Sequence, residues 1–177
     1  MDFERSAGGV LMPVQAMNVG GIFTGQIVRD GKIIDEFDVP NLVVDQGLNH
    51  LLDVVFHGAT QAGTWYLGLF EGNYTPVAGL TAATIAGTAT ETTAYDEATR
   101  PAFDEAAAAA KVTTNSASKA TFTFNATKTI YGAFLVSDST KGGTSGTLMA
   151  AAKFAAPKAV VATDQLLLTY SFTAASA

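Results

Sequence analysis

The chain contains no cysteine, which removes disulfides, thiolate metal sites and cysteine nucleophiles from consideration. Only two histidines, His50 and His57, are present, so an imidazole-rich metal centre has little to build on. Charged residues are scarce too, at 15% against roughly a quarter in an average soluble domain. The surface must be covered largely by Thr, Ser, Asn, Gly and Ala, and much of it is expected to face other subunits. Positive charge is the scarcer sign: ten Lys and Arg against sixteen Asp and Glu leave a net charge of −6. That balance argues against a partner held by its phosphates, and nucleic acid is not expected. Long apolar runs are also missing. Met149 to Val161 is interrupted by Lys153, Pro157 and Lys158 and falls short of the ~18 to 20 residues of a membrane span, so no membrane partner is expected. Asp2 and Glu4 stand where a signal peptide would carry positive charge, and Pro13 and Gln15 break the stretch Gly8 to Met17; folding in a cytoplasm is expected.

The 177 residues suffice for one β-rich domain. Residues 1–20 hold Gly8, Gly9, Pro13 and Gly20 with no sustained period and read as an interaction arm, followed by a sandwich domain over residues 21–177. Val10, Leu11, Met12, Val14 and Met17 would be costly to leave in water, which makes them candidate contacts of a strap laid across a neighbouring subunit. Asp30-Gly31, between Ile22 to Arg29 and Lys32 to Val39, is the signal for a type I′ hairpin, because both central residues need φ > 0. On the second strand Ile33, Phe37 and Val39 share the expected core face, with Asp35 as the exception. Pro40 stops the ladder.

Asn41 to Gly58 predicts the one convincing helix, its body at about residues 45–57. Asp45 would cap it, Leu48, Leu51, Leu52 and Val55 would form its buried stripe, and Gly58 would take the left-handed position at its end. Strands follow at about Thr64 to Phe70, Thr90 to Tyr95, Ala120 to Asn125, Thr129 to Val136, Thr147 to Phe154 and Leu166 to Phe172. The pattern predicts an all-β protein of about eight strands. Two long connections, Glu71 to Gly87 and Arg100 to Lys119, separate these strands, and the run Ala106 to Ala110 in the second could form a turn or two of helix. Lys141 to Gly146 reads as a flexible tip. With so few charges to guard sheet edges, a homodimer or homotrimer is expected.

A search for chemistry finds little. His50, Asp53 and His57 lie on the helix, but seven residues separate the imidazoles by about 10 Å along its axis, too far for two ligands of one ion. Thr144-Ser145 between Gly143 and Gly146 echoes a nucleophile elbow only superficially, and Lys141 precedes its glycines in the wrong order for a phosphate loop. Asp96, Glu97, Asp104 and Glu105 read as loop charges around Arg100; a calcium site between Tyr95 and Glu105 would have no ion-loop spacing behind it. No cofactor and no catalytic residue is expected. Trp65 and Tyr74 are the candidate exposed rings, since neighbours on a strand face opposite ways and at most one of Trp65 and Tyr66 is open. Phe122 with Phe124, and Phe134 with Phe154 and Phe172, fit the inner faces of packed sheets.

Taken together, Asn41-Leu-Val-Val-Asp-Gln-Gly-Leu-Asn-His-Leu-Leu, Trp65-Tyr-Leu-Gly-Leu-Phe, Tyr95-Asp-Glu-Ala-Thr-Arg-Pro-Ala-Phe103 and Ile130-Tyr-Gly-Ala-Phe-Leu-Val-Ser137 resemble segments of small tailed-bacteriophage virion proteins. Gly146-Thr-Leu-Met-Ala-Ala-Ala-Lys-Phe154 and Ala162-Thr-Asp-Gln-Leu-Leu-Leu-Thr-Tyr-Ser-Phe172 continue the likeness, which covers about Asn41 to Phe172. The resemblance implies a capsid decoration or cement protein: a jelly-roll-like antiparallel β-sandwich on the capsid surface of the virion, bound to the major capsid protein. It carries over no catalytic residue. Phage tail and fibre proteins share similar patterns, so a tail-associated adhesin that binds carbohydrate is the alternative.

Overall fold

The computed structural model describes residues 3–5, 11–13 and 17–176. In chain order the elements are β1 (Phe3–Arg5), β2 (Leu11–Pro13), β3 (Met17–Arg29), β4 (Lys32–Pro40), β5 (Leu42–Val43), α1 (Asp45–Phe56), β6 (Tyr66–Phe70), α2 (Ala82–Thr88), β7 (Val112–Thr114), β8 (Ala120–Thr123), β9 (Lys128–Val136), β10 (Leu148–Val160) and β11 (Gln165–Ser176). β1 and β2 pair with each other. The remaining strands make two antiparallel sheets, one ordered β5-β10-β9-β6 and the other β4-β3-β11, with β7 and β8 both on the free side of β11. The fold is mostly β and consistent with an all-β sandwich, with eleven strands among the described residues where about eight were expected.

Alternation explains the main core. Phe23 and Ile27 of β3 and Leu166, Leu168 and Tyr170 of β11 meet Leu67 and Leu69 of β6, Ala133 and Leu135 of β9 and Ala150 and Ala152 of β10. The four-stranded sheet is buried on its other face as well. Phe70, Phe134, Val136, Leu148 and Ala151 pack there against Leu80, Ala82, Ile85 and Ala89, so α2 and its flanks cover that face. α2 was not expected; it starts with a capping box between Thr81 and Thr84 inside what reads as a Gly- and Thr-rich loop. Phe134 therefore belongs to this outer layer, whereas Phe154 and Phe172 join the inner one.

Several local expectations are corrected. The Asp30-Gly31 turn does have φ of 49° and 73°, but a bulge follows: Ile27 pairs with Asp35 and Val28 with Ile33, so Ile34 is the extra residue. The bulge turns Ile33 off the core face and leaves it 53% exposed. Asn41 to Val43 is not helical, because Leu42 and Val43 pair with β10. Val44 rather than Asp45 occupies the cap position of α1 and makes no side-chain cap bond. Thr90 to Tyr95 is not a continuous strand; only Glu91 and Tyr95 form isolated bridges, to Phe70 and Phe124. Ala106 to Ala110 is not helical either. Ala109 pairs with Val112 across Ala110 and Lys111, both at positive φ, in a tight reversal that a helix could not make.

The chain between β6 and β7 lines two sheet edges. Bridges at Glu91 and Ala102 lie along β6, the Glu97 carboxylate accepts the Thr123 N–H of β8 at 3.0 Å, and Ala106 donates to Thr114 of β7. Between β7 and β8 the Asn115 side chain fills the gap in the ladder: Oδ1 accepts the Tyr170 N–H at 2.7 Å and Nδ2 donates to the Leu168 carbonyl at 3.2 Å. β4 carries Lys32, Asp35, Glu36, Asp38 and Pro40 on its run, with Asp35 bound by Lys158 at 2.9 Å. Edge pairing through β4 and β6 is thus guarded against.

Candidate functional site

α1 is anchored at its beginning and free at its end. Gly47 lies against the Met149 main chain so closely that a Cβ would collide with it, and the Gln46 Oε1 accepts the N–H groups of Ala82 and Leu148, both at 2.9 Å. Leu48 and Leu51 then pack on the inner core. Leu52 and Val55, expected in the same buried stripe, are instead 53% and 67% exposed, and Phe56 is 82% exposed. The last turn and a half, Leu51-Leu-Asp-Val-Val-Phe56, is apolar nearly all the way round, and its outward strip has no partner within the described residues.

Under the free end of the helix lies an apolar trough. Trp65 forms its floor, with the His50 ring edge-on at 5.5 Å between centroids. The Trp65 carbonyl accepts the Phe103 N–H at 2.7 Å, and Leu67 donates to Pro101 at 2.9 Å, which sets Phe103 beside Trp65. Across from α1, Thr113 Oγ1 donates to the Ala106 carbonyl at 2.8 Å and holds the Ala106–Ala108 strand of loop as the far wall. Leu51, Leu135, Met149 and Phe172 also line the trough, whose volume is about 350 Å³, and an adjoining recess of about 220 Å³ is lined in part by Val54 and Val55. Gln61 borders both, and Glu105 sits at the rim of the larger. The arrangement can bind apolar groups.

The sequence-predicted residues are dispersed. Trp65 is half-buried in the trough, whereas Tyr74 is half-buried against the outer layer beside α2, on the other face of the four-stranded sheet. Met17 is the first residue of β3, paired with Ser176 and 69% exposed, so the last four residues of the expected arm are strand. Leu11 and Met12 fall in β2, their side chains outside the described residues, and Val10 and Val14 lie outside them altogether. His57 closes α1, donating its N–H to Asp53.

Arg100 was read as the centre of an acidic loop cluster, and the structure places it differently. It is completely buried; its guanidinium forks onto Glu91 at 2.8 and 2.6 Å, donates to the Asp138 and Gly143 carbonyls, and lies 5.3 Å over the Phe134 ring. Gly142 adds a main-chain N–H to Glu91, and Lys141 donates to the Tyr95 carbonyl at 2.6 Å. The Lys141 to Gly146 tip is therefore tied down at three points, which a flexible loop would not show. Asp96, Glu97 and Asp104 bond elsewhere, to Asn125, Thr123 and Ser118. Burial also raises the Tyr95 and Tyr170 hydroxyls above the ordinary tyrosine range, and Arg29 holds the Asp164 carboxylate below its usual range through bonds of 2.8 and 2.7 Å. Sequence reasoning missed the Arg100 cluster because Glu91 and Asp138 lie in separate segments, and it missed the free helix face because the apolar residues of α1 were all assigned inward. The available signal was composition: five apolar residues in the six from Leu51 to Phe56 exceed what one buried stripe takes. No protein-family model and no curated protein matches the chain.

Proposed function

We propose that the chain is a structural virion protein, a capsid decoration protein with a jelly-roll type of sandwich that binds the outside of the major capsid protein lattice and stabilises it. The single observation that carries this reading is the apolar surface of α1 and the Trp65 trough. Leu52, Val55 and Phe56 expose on the order of 350 Å² of side chain, the size of the largest apolar patch a monomer normally carries and about half of one partner's share of a standard interface. A surface of this kind is covered when subunits assemble. The segment likeness to phage virion proteins supplies the kind of assembly. In this reading the arm at residues 1–20 attaches to the lattice and the protein binds assembled capsids better than free capsid subunits, which stabilises the shell by mass action. The tail-adhesin alternative places a glycan on Trp65 or Tyr74, but both rings are packed against core clusters.

The test is co-sedimentation of purified protein with undecorated capsids. Saturable binding that raises the temperature of capsid disruption is expected; no binding at saturating protein would sink the reading.

A further inference from the structure

The sheet built on β4, β3 and β11 buries one face and leaves the other open. α2 covers the outer face of the four-stranded sheet and α1 packs against β10 of that same sheet, so neither helix lies over the outside of β4, β3, β11 and β8. Alternation sends every second residue of β3 outward from Ile22 to Val28, together with their β11 partners from Ser171 to Gln165. None of these eight is charged. Charge stands only at the margins: Glu36 and Asp38 on β4 to one side, and Lys119, which leads into β8, to the other. A solvated surface is ordinarily about a quarter charged or more, whereas a charge-free centre inside a charged rim is the anatomy of an interface.

We propose that a second copy of this chain packs on this face, sheet against sheet, about a two-fold axis that runs parallel to the strands between β3 and β11. The occupant is a second copy because the face carries both signs of charge, each where the other copy needs it. With the axis along the strands, β3 of one copy lies over β11 of the other and β4 over β8, so Lys119 of each copy comes over Glu36 and Asp38 of the other. The Lys119 ammonium already reaches across its own face to Gln26 at 2.7 Å, and Gln26 donates to Glu36, so all three side chains lie on this surface. Glu97, bound at Thr123, comes opposite the Ile33 end of β4, next to Lys32. A two-fold axis across the strands would instead set β4 on β4 and bring four carboxylates together, which like-charge repulsion disfavours. The area suffices as well: the outward side chains of the sheet expose on the order of 650 Å² per copy, so a pair buries about 1,300 Å² in total, within the range of specific, stable interfaces. Two aligned sheets pack in this way inside a β-sandwich, and a two-fold contact closes on itself, so association stops at the dimer. The dimer stands apart from the decoration reading, because it uses neither the α1 strip nor the Trp65 trough.

The experiment uses the full chain and the variants Thr24→Arg, Lys119→Glu and Glu36→Lys. All three positions are exposed, so each variant should keep the wild-type circular dichroism. Sedimentation from about 1 μM to about 1 mM should show the wild-type mass rising from 18.3 kDa to twice that value and no further. Thr24→Arg, which puts a bulky charge at the centre of the face, should stay monomeric. Lys119→Glu and Glu36→Lys should each raise the dissociation constant at least tenfold when alone. Mixed one to one, they should form a heterodimer about as tight as the wild-type dimer, since each variant then meets the opposite sign at both margins. A wild type that stays monomeric throughout or grows beyond a dimer, a Thr24→Arg that dimerises like wild type, or a mixture no tighter than either variant alone would each overturn the proposal. Capsid binding by a monomer that Thr24→Arg abolishes would assign this face to the lattice, sinking the dimer and leaving the decoration reading standing; a dimer that does not bind capsids would do the reverse.

Discussion

Removing the Arg100 side chain should be among the most damaging single changes in the protein. Its charge is fully buried and its fork to Glu91 is met by a carboxylate that is itself only 1% exposed. Replacement by Met keeps the stem that packs on Phe134 but leaves Glu91 with the Gly142 N–H alone, and strips the Asp138 and Gly143 carbonyls of their donor. Breaking one partner of a buried pair costs about 3 to 5 kcal/mol, because the remaining charge stays desolvated. Unfolding entropy of roughly 2.1 cal/mol/K per residue gives about 0.37 kcal/mol/K for a chain of this length, so Arg100→Met should lower Tm by about 8 to 13 °C. Urea denaturation should show the same loss in midpoint with an unchanged slope. The double variant Arg100→Met/Glu91→Leu should recover part of the loss, since the fully buried Glu91 charge is gone and only the partly exposed Asp138 carboxylate is left without Arg100. A single variant within about 1 kcal/mol of wild type would show that the pair is solvated after all, and a double variant no better than the single would show that the carbonyl contacts, not the charge, carry the effect.

Further expectations follow from the same packing. Asn115→Ala should cost about 2 to 5 kcal/mol, because the Tyr170 N–H and Leu168 carbonyl both lose a buried partner, and hydrogen exchange should find the Tyr170 amide selectively unprotected. Gly132→Ala should be harsher than Gly31→Ala in chemical denaturation: its Cβ would strike the Phe70 ring and the Ala152 carbonyl, and the carbonyl, being main chain, cannot swing aside, whereas Gly31 faces open space and is strained only by its φ of 73°. The Asp164 carboxylate is held below its ordinary range when folded, so its contribution is complete above that range and is lost as pH falls through the folded value. The stability gap between wild type and Asp164→Asn should therefore narrow on acidification below about pH 4. The raised Tyr95 and Tyr170 hydroxyls act at the other end: unfolded tyrosines ionise near pH 10.0 while these two do not, so stability should fall above that pH, with a native-state absorbance titration that leaves them un-ionised.

What the sequence revealed of the fold was what local chemistry dictates. The Asp30-Gly31 reversal was legible because two adjacent positive φ angles admit few residue pairs, and the strands from β9 to β11 because their apolar runs are long. What escaped was decided between distant segments. Leu148-Met-Ala-Ala-Ala shows no alternation because both faces of β10 are covered, a pattern that signals a doubly buried strand without saying what the second layer is. That layer is α2, whose seven residues include Gly87 and two threonines and have low helical propensity; it holds because Ile85 is wholly buried against the sheet. The poly-alanine run was misjudged in the opposite direction. Alanine favours a helix, yet the bonds of Ala106 and Ala109 to Thr114 and Val112 hold the segment against β7, and tertiary pairing overrides propensity.

The candidate site divides along the same line. Trp65 could be singled out because a lone tryptophan beside a strand is conspicuous, but its place in a recess depends on Phe103, Ala106 and Phe172, which no spacing rule brings to it. The α1 strip is the clearer lesson. An amphipathic helix on a sandwich needs one apolar stripe, and Leu48 and Leu51 with Gly47 already provide it. Leu52, Val55 and Phe56 add apolar surface that no other described residue covers, at a point where Asn, Lys or Glu would serve solubility better. Such residues raise the free energy of the isolated chain in water and lower it only once covered. Replacing all three by polar residues should therefore leave the fold and melting temperature intact and raise solubility, and under the proposed decoration reading it should weaken binding to undecorated capsids in the same co-sedimentation assay.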